Sequence, residues 1–372
     1  MNLAGFAIRN LKRRPLRTSL SIISIGLAVG SALALITVSR SIEENTQQSM
    51  DELGDDVIVT QRGALDIFGG FLPQSIAQQI ANVPGIARAS GELFLFAPSE
   101  KNWNVLVSGW PADSYLWRAV PLRQGRIPEA GEGHVVIIGD NVAEGLGKSV
   151  GDMIDLQGDK FRVVGIANYT SLVNRGSVDV LLPDLQDLTY RHGQISLVHV
   201  KFAAPISASE VARVKRDIES LGRVTVSTIT EALNNDHNLA ILKAVSLAIS
   251  IIALAMGALN VFNSLLMATQ ERTREIGIIS ALGWSDALII VSIVTEGMLM
   301  CGFGCILGIV LSYLASFLFP LIPTIGNLIS FKPSLSLILP TLVLVFALCA
   351  AGALYPAWRA IRVPPAVALR HL

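Results

Sequence analysis

The residues of this 372-residue chain that come nearest to a reactive motif are Gly147, Lys148 and Ser149. Gly-Lys-Ser closes the phosphate-binding pattern G-x-x-x-x-G-K-[ST], whose leading glycine lets consecutive backbone N–H groups turn toward the phosphates. Counting back, that leading position is Val142, a β-branched residue, and a short connection into a hairpin explains the same residues. ATP chemistry is therefore not expected on this chain. His134, His192, His199 and His237 are scattered, without a nucleophile or carboxylate at a telling spacing, and are expected at the surface or in the core. Cys301, Cys305 and Cys349 fall in apolar stretches with neither CxxC nor His/Cys metal spacing, so they read as apolar filler, with no metal or cofactor expected. Trp103, Trp110 and Trp117 recur every seven residues, but Gly109 and Pro111 forbid one helix. They read as core or edge aromatics, with a partner or ligand surface as the alternative.

The elements that must position these residues are set by composition. Hydrophobic residues make up 51% of the chain and charged residues 16%, too apolar for an ordinary soluble protein, and a net charge of zero gives no case for nucleic acid. Four stretches lack charge for about the 20 residues that cross a bilayer. They predict transmembrane helices at 18–39, 244–270, 287–319 and 335–358, the third interrupted only by Glu296 and stopped near Pro320, Pro323 and Gly326. Arg9, Lys12, Arg13, Arg14 and Arg17 precede the first span, Arg272 and Arg274 separate the second and third, and Arg359, Arg362 and Arg370 follow the fourth. The positive-inside bias therefore places segments 1–17, 271–286 and 359–372 in the cytoplasm, and 40–243 and the loop 320–334 outside. A cleaved signal peptide ending near Ala32-Leu33-Ala34 is the alternative for span one, but the apolar run continues through Val38.

The outer segment is long enough for a core in two lobes. VIVT at 57–60, a helix from Pro73 to Ala81 and IARASGELFLFA at 86–97 read as strand, helix, strand. HVVIIGD, NVAEGLG and DMIDLQGDKFRVVGIA read as strand, short helix and a hairpin turning at Gln157-Gly158-Asp159. SLVHVKF, a helix over 207–221 and RVTVSTI close the domain. The fold class is thus a membrane protein with four transmembrane helices and a large α+β extracytoplasmic domain between spans 1 and 2. SRSIEENTQQSMDELG after span one and ITEALNNDHNLAILK before span two predict helices continuing out of the bilayer as stalks.

The sharpest motif is TQERTREIGIISALGWSDA, residues 269–287. Helical from Glu271, it puts Ile276, Ile279 and Leu282 on one side and lets Glu271 pair with Arg274. Gly283 is a natural left-handed stop, and Ser285 with Asp286 can cap the next helix. A membrane-surface helix is the alternative reading. GALNVFNSLLMATQERTREIGIISALGW from Gly257, the N-terminal NLKRRPLRTSLSIISIGLAVGSALAL and the ending YPAWRAIRVPPAVALRHL resemble the ABC transporter permeases of the MacB, LolC and FtsX type. VVIIGDNVAEGLGKSVGDMIDLQGDKFRVVGI resembles that family's extracytoplasmic domain.

The resemblance implies a non-catalytic permease of the bacterial cytoplasmic (inner) membrane, with ATP and Mg bound by a separate dimer of ABC ATPase subunits. Arg272, Arg274, Glu275, Ile276, Gly277, Leu282 and Gly283 match the family's coupling element. A second permease copy or paralogue is implied, and a periplasmic adaptor or membrane-fusion protein is compatible. Gly26 and Gly30, and Gly304 and Gly308, have the small-x-x-x-small spacing that supports close helix approach and gives modest support for dimerisation. Glu296 suggests packing or coupling toward a basic residue, or simply an interfacial position. Asn260 and Asn263 are expected to bond between helices. Mechanotransmission is implied: ATPase closure moves the stalks and outer domain for export or extrusion of a periplasmic or membrane-derived substrate. An FtsX-like regulator of an extracytoplasmic cell-wall hydrolase is the alternative. A secondary transporter would need paired repeats or charged midplane sites.

Overall fold

A computed structural model describes residues 3–64, 69–100, 103–203, 207–318 and 334–362. The expected loop 320–334, except Ser334, and the tail beyond residue 362 lie outside the described residues. The chain forms two units, one of residues 40–242, the other of residues 3–39, 243–318 and 334–362. It begins with α1 (Leu3–Lys12) and α2 (Pro15–Leu53), where Pro15 opens the helix at a position that needs no amide donor. α2 is one helix of 39 residues that ends at Gly54, with φ +74.

In the outer unit follow β1 (Val57–Gln61), β2 (Leu72–Pro73), α3 (Ser75–Ala81), β3 (Ile86–Pro98), β4 (Asn104–Trp110), β5 (Leu122–Gly125), β6 (Val135–Gly139) and α4 (Asp140–Leu146). Then come β7 (Met153–Leu156), β8 (Asp159–Ala167), α5 (Leu172–Arg175), β9 (Ser177–Leu181), α6 (Leu182–Thr189), β10 (Gln194–Ile195), β11 (Leu197–Phe202), α7 (Ala208–Ser220), β12 (Val224–Ser227) and α8 (Ile229–Asn235). Among the described residues, ten strands make one sheet in the order β12-β1-β11-β3-β4-β9-β6-β8-β5, with β7 on β8. The two lobes share one strand: β3 pairs β11 over Ile86–Glu92 and β4 over Leu93–Pro98. Side chains alternate along each strand. Leu93, Val107, Val178, Val198 and Val200 enter the main core, while Phe94, Leu106 and Leu197 face the other way, toward Met50 of α2 and Leu233 of α8.

Local chemistry explains the connections. Gln157 and Gly158 take φ 56 and 101, the pair of positive φ values that a two-residue hairpin turn requires. Ser207 with Glu210, and Thr228 with Glu231, form reciprocal capping boxes at the starts of α7 and α8. Gly147 ends α4 at φ +70, and Lys148 Nζ donates to Glu100 and to the Met153 carbonyl at 2.7 Å, so Gly-Lys-Ser is a helix stop leading to a hairpin. Trp110 and Trp117 stack edge to face at 4.9 Å inside the domain, and Trp103 covers Gly145. The second expected stalk is interrupted: Asp236 leaves helical geometry with ψ 116 and separates α8 from the following helix, where its carboxylate accepts from the Leu239 N–H at 2.9 Å.

His199 is fully buried between two carboxylates, Asp55 at Nδ1 and Glu92 at Nε2, the latter at 2.6 Å. The Tyr115 hydroxyl donates to Asp55 at 2.5 Å. Burial would push the imidazole down, but the Asp55 and Glu92 charges and their hydrogen bonds outweigh it and raise His199 from 6.5 to about 10. A raised folded value means that the stabilisation is complete below pH 6.5 and disappears as pH rises through about 10, a change on the order of 5 kcal/mol. The thermal midpoint of the solubilised chain should therefore fall between pH 7 and pH 10. His199→Gln should be less stable at pH 7 and show a much smaller fall; an equal fall in parent and variant would refute the assignment.

The other unit is completed by α9 (His237–Glu271), α10 (Thr273–Ala281), α11 (Asp286–Leu318) and α12 (Leu335–Ile361). Among the described residues, α2, α9, α11 and α12 are the four helices long and apolar enough to cross a membrane. Ile25, Val29 and Leu33 of α2 pack with Leu254 and Val261 of α9, Ile293, Met300 and Cys301 of α11, and Val345 and Cys349 of α12. Two expectations are corrected here. The glycine pairs meet each other inside the chain: a Cβ at Gly304 would lie 2.5 Å from Ile25, one at Gly308 2.7 Å from Val29, and one at Gly30 3.2 Å from the Gly308 carbonyl. That spacing closes the α2–α11 crossing and so gives no support for dimerisation. Among the described residues, Asn260 and Asn263 make no interhelical hydrogen bond, because α9 is the least buried span and leaves Asn260 half-buried and Asn263 exposed.

Candidate coupling site

Two local features cut one long helix into α9, α10 and α11. Arg272 departs from helical geometry at φ −107, ψ 14, and Gly283 takes φ +93, a conformation that strains any residue with a Cβ. The Leu282 and Trp284 N–H groups bond back to the Ile278 and Ile279 carbonyls at 3.0 and 3.3 Å, and Ser285 Oγ accepts from Leu288 N–H at 3.4 Å at the start of α11. Gly277 is buried and Ile276 packs on the helical core. Arg274, Ile278 and Leu282 are exposed, Leu282 at 77%. Leu282 therefore does not share the packed side with Ile276 and Ile279, because it lies past the end of α10.

A charge network fixes the inner side of this helix. Arg17 grips Glu271 with both terminal nitrogens at 2.8 and 2.9 Å, and Arg14 joins the same carboxylate. Glu271 is thus paired with α2 and its entry turn; the expected Glu271–Arg274 pair is not formed. Arg13 reaches Glu275 at 3.3 Å, and Arg272 bridges Glu275 at 3.1 Å and Glu296 at 3.3 Å. Arg13, Arg14, Arg17, Arg272, Glu275 and Glu296 surround a cavity of about 90 Å³ that Asn10, Thr18 and Ser264 also line.

Exposure sorts the pairs. Arg13 and Glu275 are half-exposed, and such a pair contributes about 0–1 kcal/mol. Arg272 and Glu296 are 18% and 11% exposed, and removing one member of a buried pair costs about 3–5 kcal/mol by stranding the other charge. Arg272 is therefore the hinge of the network, tying α10 to Glu296 in the body of α11. The arrangement holds a short helix rigidly on one side and leaves the other side free. Among the described residues no cluster of His, Cys, Asp or Glu is placed to hold a metal.

Residues 18–220 match the family model of the MacB-like periplasmic core domain, and residues 247–365 that of the FtsX-like permease C-terminal region. The chain belongs to the MacB/FtsX-type ABC transporter permeases. An ABC transporter permease of Mycobacterium tuberculosis is 24% identical to this permease over 323 residues, covering 85% of this chain and 87% of that one. The macrolide export ATP-binding/permease protein MacB of Bdellovibrio bacteriovorus is 24% identical over 343 residues, covering 82% of this chain. The match spans 52% of that MacB's length. The periplasmic region of MacB from Actinobacillus actinomycetemcomitans overlays with a TM-score of 0.40 at 12% identity, over 51% of this chain and 96% of that one.

In this permease the motif residues Arg272, Glu275, Ile276 and Gly277 are gathered at the inner side of α10, with Glu296 beneath Arg272. The sequence shows Arg13, Arg14 and Arg17 only as an orientation signal. Their partners lie more than 250 positions away, Arg17 and Glu271 being separated by 254, and no local spacing announces such a contact. The buried Asp55–His199–Glu92 cluster is equally silent in sequence, since each member comes from a different part of the chain.

Proposed function

We propose that this permease couples ATP hydrolysis by a separate pair of ATPase subunits, which bind ATP and Mg, to movement of its outer domain. The observation that supports the reading most is the two-sidedness of α10. Arg272, Glu275 and Ile276 lock it to the helical body, while Arg274, Ile278 and Leu282 present a charge and two apolar side chains to a partner. The Lys/Arg bias puts both termini and this helix in the cytoplasm and residues 40–243 outside the cytoplasmic membrane. α2 is the mechanical element, a single helix whose first turns hold Glu271 through Arg17 and whose last turns seat Met50 and Leu53 in the outer domain's cores. A push on α10 is carried along it.

Export or extrusion of a periplasmic or membrane-derived substrate is the function this movement serves, in keeping with the MacB relatives, which are macrolide export ATP-binding/permease proteins. A second permease copy or a paralogue pairs with the chain, for which the exposed Ile252, Met256 and Leu259 of α9 offer an apolar face shared with lipid. Affinity purification of the tagged chain from gently solubilised native membranes tests this reading. The expected result is an ABC ATPase together with an adaptor or carrier protein. A cell-wall hydrolase as the outer partner would replace export by hydrolase regulation, and the lack of any ATPase across several detergents would contradict the coupling reading.

A further inference from the structure

The sheet face turned away from the main core carries Glu92 and Phe94 from β3, Leu106 and Trp110 from β4, and Asp179 from β9, brought together by strand alternation. Above this face the last turns of α2, with Leu233 of α8 and Leu239 of α9, leave a cavity of about 300 Å³ within the outer domain. Its lining is mainly apolar. The charged residues among the described lining are all acidic, Glu92, Asp179 and Asp236, with no Lys, Arg or His.

At Glu92 and Asp179, among the described residues, the acidic charge outnumbers its basic partners. His199 lies behind Glu92 and is shared with Asp55, so one imidazolium serves two carboxylates. Asp179 is 2% exposed and, among the described residues, meets only neutral donors, the Tyr169 hydroxyl at 2.8 Å and the Ser177 hydroxyl at 3.3 Å. Burial pushes Asp179 up to about 7, Tyr169 pulling it down and Glu92 pushing it further up. A buried carboxylate in this state gains from any cation placed beside it, because an unpaired charge in apolar surroundings is costly.

We propose that this cavity binds a small lipophilic cation, an organic ammonium carried on an apolar body. At roughly 30 Å³ for each water-sized group, the space accepts about ten non-hydrogen atoms. The apolar walls take the body and the acidic floor selects the head. Neutral and anionic analogues of the same shape would keep the first contribution and lose the second, the anion meeting repulsion as well. The site uses no residue of α10 and needs no ATP, so it is independent of the coupling reading.

The test is isothermal titration of the full chain in nanodiscs, corrected against empty nanodiscs and without nucleotide. The probes are 3-phenylpropylamine, 3-phenylpropanol and 3-phenylpropanoate. The amine should bind saturably and at least tenfold more tightly than the alcohol, with the acid weakest. Asp179→Asn, which keeps an oxygen to accept from Tyr169, should reduce the amine to the level of the alcohol. Val173→Trp, which fills the cavity from a half-buried wall position, should abolish saturable binding of all three. Alcohol or acid binding as tightly as the amine, a preference that survives Asp179→Asn, binding that survives Val173→Trp, or no saturable binding of the amine would each overturn the proposal.

Discussion

Gly304→Leu and Gly308→Leu should each remove most of the folded permease, whereas Gly302→Leu, two residues from the first, should leave it unchanged. Carbon atoms in contact settle about 3.5–4.0 Å apart. A Cβ at Gly304 would lie 2.5 and 2.6 Å from Cγ2 and Cβ of Ile25, and one at Gly308 would lie 2.7 Å from Val29 Cβ and 2.9 Å from the Gly26 carbonyl. These obstacles sit at or next to the α2 backbone and cannot swing aside, so the helices must separate. Overpacking a core costs about 1–3 kcal/mol where side chains can yield, and more where they cannot. At Gly302 nothing lies within 4 Å. Size-exclusion profiles of equal amounts of solubilised membrane should show the main peak lost for Gly304→Leu and Gly308→Leu and retained for Gly302→Leu. A Gly304→Leu variant as abundant and heat-resistant as the parent would mean that the α2–α11 crossing is not what the structure describes.

What the sequence discloses and what it withholds divide along the range of the interactions. The β-branched runs at Val57–Val59 and Val135–Ile138, the turn at Gln157-Gly158 and the capping pair Ser207–Glu210 act within a few residues, and each is legible in the order of the letters. The charge-free spans are legible for the same reason. The break at Asp236 is not, because Asn234-Asn235-Asp236-His237 contains neither Pro nor Gly and the helix is ended by an Asp that caps the next one. The glycine pairs reveal that a helix can come close but not which helix comes. Glu271 shows why charge patterning misleads at a coupling site: Arg274, three residues on, is the local candidate, yet Arg14 and Arg17 take the carboxylate because the fold brings the entry turn of α2 against the end of α9. The acidic cavity is hidden for the same reason, since two of its buried carboxylates, Glu92 and Asp179, stand on strands that become neighbours only through β4.

Coupling to the ATPase depends on the outward side of α10. Arg274 and Leu282 are exposed, so replacing them disturbs neither the helical core nor the Arg272–Glu296 pair. Buried apolar and arginine anchors at protein interfaces cost about 2 kcal/mol or more when lost, which is more than tenfold in affinity for each. The most direct measurement is recovery of the ATPase on the tagged permease, parent against Arg274→Glu/Leu282→Asp, at equal permease and with equal thermal midpoints. The double variant should recover at least tenfold less ATPase than the parent. Full recovery of the ATPase on that variant would show that the partner docks elsewhere and that α10 is not the coupling element.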